Sequence, residues 1–192
     1  MVDVQDELAQ ATSSDKIDKY REAKQRWVSF LNVTTDATEQ QKQLRLSEIL
    51  SDVFGAEFSF VGFYDKKEDN DEKIFIGEYV SNAEILPCGE IRMGNGQCGQ
   101  CAAEQRTLIA HDTKQLENYI ACDMDTRSEI VVPCCMQDEG GNLAMRTVLD
   151  IDSPSVGTFT EVDRECLEDL AYMVYQRPAV SWNEDQNNMV AQ

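Results

Sequence analysis

The stretch that decides the fold is Phe58-Ser59-Phe60-Val61-Gly62-Phe63-Tyr64. Phe58, Phe60, Gly62 and Tyr64 alternate with Ser59, Val61 and Phe63, so an aromatic and β-branched run places apolar groups on both faces of one strand. Such a strand needs cover on two sides. Upstream, Ile17, Tyr20, Ala23, Trp27, Phe30 and Leu31 recur at three- and four-residue steps and predict a helix. A second helix is predicted from Thr35–Thr38, carrying Leu44, Leu46, Ile49, Leu50 and Val53 and stopping at Gly55, a residue suited to the left-handed cap.

Downstream, the acidic run from Asp65 to Lys73 predicts a hairpin turn, and residues 74–80 a second strand. Ile91-Arg92-Met93 is a short third, after which Gln100–Arg106 reads as helix and Thr107–His111 as strand. Residues 112–127 lack a period and are assigned to a long loop with one helical turn at most. Ile130–Pro133 and Ala144–Ile151 are the last strands, joined through the turn signal Asp138-Glu-Gly-Gly-Asn142, and Arg146 within the second implies an edge or a bulge. A final helix opens with Thr160 and Asp163 in a capping box, buries Cys166, Leu167, Leu170, Met173 and Val174, and ends at Pro178. This order describes an α+β domain: a mainly antiparallel sheet of about six strands with N- and C-terminal helices on one face. The expected division is a lead-in at 1–14, one domain at 15–177 and a polar tail at 178–192.

The chain has 192 residues with 42% hydrophobic and 28% charged, enough for a sizeable core. Its formal net charge of −19, with no basic cluster, opposes nucleic-acid binding, which needs Lys and Arg gathered on one face. The first thirty-one residues carry charges throughout and no signal-peptide core, and no segment has the length of a membrane span, so a cytoplasmic protein is expected. Seven cysteines spread over the chain do not form a secreted disulfide scaffold.

Clustered thiols in a reducing compartment serve as metal ligands or redox groups more often than as staples. Cys88, Cys98, Cys101 and Cys122 lie in the loop-rich middle of the chain, while Cys134, Cys135 and Cys166 sit in apolar segments and read as packing residues. Cys98-Gly-Gln-Cys101 is a CxxC without the βαβ context of a thioredoxin-type pair. Zinc held by Cys98, Cys101, Cys134 and Cys135 is disfavoured because the second pair is adjacent, and the single His111 reads as a strand-end polar residue. Asp150-Ile151-Asp152 follows an apolar run, so alternation sets both carboxylates on one side of a strand, with Glu129 heading the neighbouring strand. On a solvated edge these acids would be ordinary; in a cleft, repulsion and desolvation would raise at least one pKa and create a proton donor near neutral pH. The same cluster could hold a substrate ammonium.

Five motifs in order, preceded by Phe60-Val-Gly-Phe-Tyr64, carry a resemblance: Pro87-Cys88, Gly94-Asn-Gly-Gln-Cys98-Gly99, Tyr119-Ile-Ala-Cys122-Asp123, Ser128-Glu-Ile-Val-Val-Pro133 and Leu149-Asp-Ile-Asp-Ser-Pro154. Over about Trp27–Val174, with thiol steps of ten and twenty-four residues, the chain resembles the free methionine-(R)-sulfoxide reductases built on a GAF domain. The resemblance implies that Cys122 is the nucleophile, whose thiolate attacks the sulfoxide sulfur, releases methionine and becomes a sulfenic acid. Cys98 and Cys88 match the resolving thiols, one of which forms a disulfide that thioredoxin reduces. Glu129, Asp150 and Asp152 match the acidic cluster that contacts the free amino acid and protonates the departing oxygen, and Phe60 and Tyr64 the wall around the S-methyl group. No metal or organic cofactor is implied. The family is often dimeric through its terminal helices, which makes a homodimer an expected arrangement.

The chain departs from the family pattern at Phe60, often Trp, at Arg92 and Met93, usually a Pro and an aromatic or aliphatic residue, and at Cys101, usually small; residues 140–146 lengthen a hairpin. Cys101 could divert the disulfide. The alternative function is a non-catalytic small-ligand-binding GAF module, which the spaced thiols disfavour.

Overall fold

A computed structural model describes residues 4–82, 86–117, 124–137, 141 and 143–175, with side chains described from Ser14 onward. Helix α1 spans Val4–Val33, so the backbone is already helical within the expected lead-in. Helix α2 spans Glu39–Phe54, capped by Thr38, whose hydroxyl accepts from the Gln41 N–H at 3.2 Å while the Gln41 side chain accepts from the Thr38 N–H at 2.9 Å. Gly55, at φ 56°, ends it where the sequence reading placed the stop.

Six strands, β1 (Phe60–Lys67), β2 (Asn70–Ser81), β3 (Glu90–Arg92), β4 (Leu108–Ala110), β5 (Ser128–Gln137) and β6 (Leu143–Ser153), form one antiparallel sheet among the described residues. The order is β3-β2-β1-β6-β5-β4. The turn expected over Asp65–Lys73 is shorter, because β1 continues to Lys67 and β2 starts at Asn70, whose side chain accepts from the Glu72 and Lys73 N–H groups. Charged side chains at the open end of a two-stranded ribbon leave the backbone ladder intact, which is why an acidic run did not end the strands there. Arg146 is the bulged residue: Cys134 pairs with Thr147, Cys135 pairs with Met145, and the register shifts between them.

One face of the sheet carries α1, α2 and α4 (Glu161–Tyr175). Val61, Phe63, Ile130, Val132, Cys134, Leu149 and Ile151 point into it and meet Trp27, Leu46, Ile49, Leu50, Phe54, Leu167 and Leu170. Trp27 is fully buried and donates its indole N–H to the Leu170 carbonyl at 3.3 Å, which ties α1 to α4. Asp163, fully buried, completes the link by accepting from Tyr20 at 2.8 Å, Lys16 at 2.9 Å and the Thr160 N–H at 2.8 Å. Leu44 and Ile17, expected on buried helix faces, are 36% and 42% exposed, while Phe54 and Phe58 are buried in the core with their rings stacked at 4.1 Å.

The opposite face is covered by α3 (Gly96–Glu104), which begins four residues ahead of the predicted Gln100. Its early start follows from Gly99: a Cβ there would lie 2.2 Å from the Arg92 carbonyl oxygen, so only glycine lets the helix press against β3. Cys98, Cys101 and Ala102 then pack onto Tyr64, Ile74, Ile91, Leu108, Val131, Met145 and Val148.

Candidate active site

The functional candidates assemble on the α3 face, at the end of the sheet where β1, β5 and β6 run side by side. Strand pairing fixes two rows across the three strands: Glu129, Asp152 and Phe60 in one, and Val131, Asp150 and Gly62 in the next. Neighbouring strands are about 4.8 Å apart and alternate residues share a face, so Glu129, Asp150 and Asp152 converge while Ile151 turns into the helix-side core. All three acids are buried, at 5%, 6% and 8% exposure. They do not form the solvated edge that was the ordinary alternative.

Cys98 reaches down from the first turn of α3, its thiol donating to a Glu129 carboxylate oxygen at 3.8 Å. An Asp150 carboxylate oxygen lies within 4.8 Å of both the Cys98 sulfur and a Glu129 oxygen, and its Oδ1 is buried with no partner. Burial, then the Asp150 and Asp152 charges, push the Glu129 carboxyl well above the usual carboxylate range. Asp150 is raised by burial to about 6. Two buried carboxyls this close oppose each other's ionisation, which favours the protonated form of Glu129. Cys98 is held as a thiol by burial and by the Asp150 charge. Tyr64, buried below α3, is raised by burial and by Asp150.

An aromatic wall closes the side facing β2. The Phe60 ring stacks on Tyr79 with centroids 5.7 Å apart and lies over Gly62, where an added Cβ would meet the ring at 2.5 Å. Gly62 is therefore required by the wall, and Tyr79 is a wall residue that sequence reasoning missed. The signal was available in principle: β1 and β2 pair Gly62 with Tyr79, a register that only a correct hairpin length gives.

The other thiols divide clearly. Cys88 is half-buried beside this face and disulfide-bonded. Cys122, with the Tyr119–Asp123 motif, lies outside the described residues. Cys98, Cys101, Cys134, Cys135 and Cys166 are free. Cys101 donates to the Val131 carbonyl at 3.5 Å, and the CxxC is reduced. Cys134 points to the helix-side core while Cys98, Cys101 and Cys135 lie across the sheet, so a four-thiol zinc site cannot close. Every free thiol here is raised above its ordinary value, chiefly by burial, Cys166 to about 11, so none supplies a thiolate at neutral pH. His111 is exposed at the end of β4, its carbonyl accepting from the Gly157 N–H at 2.8 Å.

The protein is thus an α+β domain, an antiparallel six-stranded sheet with helices on both faces and a buried acidic cluster beneath one of them. The family model described as GAF domain matches residues 37–174, and the chain belongs to that family. It is similar to the free methionine-R-sulfoxide reductases of Saccharomyces cerevisiae, 34% identical over 62% of this chain and 62% of that one, and of Escherichia coli, 30% identical over 65% and 66%. The chain thus spans just under two thirds of the length of these curated relatives. Among solved structures, the free methionine-R-sulfoxide reductase of Neisseria meningitidis in complex with its substrate superposes with a TM-score of 0.69 at 29% identity, covering 81% of this chain and 87% of that one. Among the described residues no helix is long and apolar enough to cross a membrane.

Proposed function

We propose that the protein reduces free L-methionine-(R)-sulfoxide to methionine. The observation that carries this reading is the buried Glu129–Asp150 pair beneath α3, a carboxylic acid that keeps its proton at neutral pH beside an aromatic wall. Sulfoxide oxygen is a poor leaving group until protonated, and such an acid is the group the chemistry demands. The named relatives support the same substrate.

In this scheme Cys122 attacks the sulfoxide sulfur as thiolate, Glu129 protonates the oxygen, and the oxygen passes to Cys122 as the sulfenic acid while methionine departs. The substrate sulfur gains two electrons and the Cys122 sulfur loses them. Asp152 holds the substrate ammonium, and Phe60, Tyr64 and Tyr79 enclose the S-methyl group. Cys88 then condenses with the sulfenic acid, giving a disulfide and water, and thioredoxin returns both thiols. Cys88 is preferred to Cys98 as resolving thiol because it is disulfide-bonded in the structure, whereas Cys98 and Cys101 are free and buried under α3. An enclosed site that reads both charged ends of an amino acid would reject the same side chain within a polypeptide.

Methionine formed per protein molecule, without and with a recycling reductant, tests the scheme. Wild type should form about one equivalent alone and many with thioredoxin, its reductase and NADPH. Cys88→Ser should keep the first equivalent and lose thioredoxin-supported turnover, and Cys122→Ser should form none. Full turnover by Cys122→Ser would overturn the reading.

A further inference from the structure

Three donors of mixed softness meet beneath α3. The Cys98 sulfur, a Glu129 carboxylate oxygen and an Asp150 carboxylate oxygen all lie within 4.8 Å of one another, and all three residues are buried. Asp150, one carboxylate oxygen of which belongs to this cluster, has its Oδ1 buried without a hydrogen-bond partner, an unsatisfied lone pair that calls for an occupant. From this geometry we propose that Cys98, Glu129 and Asp150 form a binding site for zinc, with a fourth position left open, and that occupancy shuts the pocket to its substrate.

The donor set selects the ion. One thiolate with two carboxylates suits a borderline ion, whereas magnesium and calcium avoid sulfur and want more oxygens. Tetrahedral zinc with these donors needs sulfur–oxygen separations of about 3.5 Å and oxygen–oxygen separations of about 3.3 Å, so the existing cluster has to contract by up to about 1.5 Å, within reach of side-chain rotation. The 3.8 Å contact between Cys98 and Glu129 is already close to the sulfur–oxygen value.

Cys98 must give up its thiol proton to bind the ion as a thiolate, so binding releases at least one proton. The carboxyl pair would then no longer serve as acid, and the ion would stand in the pocket. This effect on turnover rests on the reductase reading; the binding does not.

Reduced full-length protein titrated with cobalt(II) as a spectroscopic stand-in should show a thiolate-to-metal charge-transfer band that saturates at one equivalent and is displaced by zinc. At least one proton per metal, from the Cys98 thiol, should appear in weakly buffered solution at neutral pH. Cys98→Ser should lose the band, and Asp150→Asn should keep it while weakening affinity by at least about tenfold. Cys166→Ser should bind as wild type, and near-ultraviolet circular dichroism checks that each variant is folded. If Cys98→Ser does not fold, Asp150→Asn and the proton count still decide the matter. A band that survives Cys98→Ser would place the metal on Cys88, Cys122 or another thiol and overturn the site, as would zinc binding without proton release. Zinc should abolish methionine formation by wild type, reversibly by chelator. Binding without inhibition would overturn the regulatory half, while a protein that binds zinc at Cys98 but reduces no sulfoxide would leave the site standing and remove the reductase reading.

Discussion

Asp150 illustrates how much one side chain's surroundings can demand of it. Its carboxyl moves from 3.8 in the unfolded chain to about 6 in the fold, because burial penalises the anion. The folded state therefore binds the extra proton, and the stability it supplies is complete below pH 3.8 and lost as pH rises through about 6. At about 1.4 kcal/mol per unit the penalty above that window is about 3 kcal/mol, and Glu129, raised in the same direction, adds to it. Urea unfolding should find the protein more stable at pH 4.5 than at pH 8 with respect to this pair, and Asp150→Asn more stable than wild type at pH 8 by about 1–3 kcal/mol. A destabilised Asp150→Asn at pH 8 would mean that the carboxylate is paired with a cation. The alternation of Asp150, Ile151 and Asp152 was legible from the sequence, as was the head position of Glu129. Their burial was not, because burial depends on α3 closing over the sheet, and α3 was read as starting at Gln100.

The start of α3 is set by contacts between elements. Glycines normally argue against a helix, and Gly94-Asn-Gly-Gln-Cys98-Gly99 carries three of them. Here Gly99 is inside the helix because the backbone of β3 passes beneath it, a long-range contact that no local propensity encodes. Gly99→Ala, whose Cβ would lie 2.2 Å from the Arg92 carbonyl, must push α3 off the sheet. A loss of about 1–3 kcal/mol in chemical denaturation is expected, together with a fall in methionine formation greater than any stability loss explains, since the same turn holds Cys98 against the proton donor Glu129. An unchanged midpoint would show that the helix does not press on β3. By contrast α2 was legible end to end, since the Thr38–Gln41 cap and Gly55 are local signals, and the Arg146 bulge announced itself as a charge in an apolar strand. The strand ends were not legible, since the ladder that extends β1 to Lys67 and β5 to Gln137 is a property of the partner strand.

The whole molecule carries a formal charge of −19, and much of what faces solvent repels its neighbours. Ion pairs such as Lys24–Asp169 at 2.7 Å and Arg26–Asp52 at 2.7 Å tie helices locally but leave the excess of acid uncompensated. Salt should therefore raise the melting temperature: screening lowers self-repulsion more than it weakens these few surface pairs. A melting temperature that falls between 10 mM and 200 mM sodium chloride would show the pairs to matter more than the net charge. For the whole molecule the sequence was most informative, because an aromatic strand with apolar groups on both faces demands cover on two sides of an α+β sheet, and the five ordered motifs point to one branch of the GAF family. The reductase reading itself is tested most directly by methionine formation from free L-methionine-(R)-sulfoxide, run beside the S epimer and a peptide-bound sulfoxide, with dithiothreitol as reductant so that recycling by thioredoxin is not at issue. Product from the free R form alone is expected; no product from any of the three, with folded and reduced protein, would contradict it and leave a domain that binds without reacting.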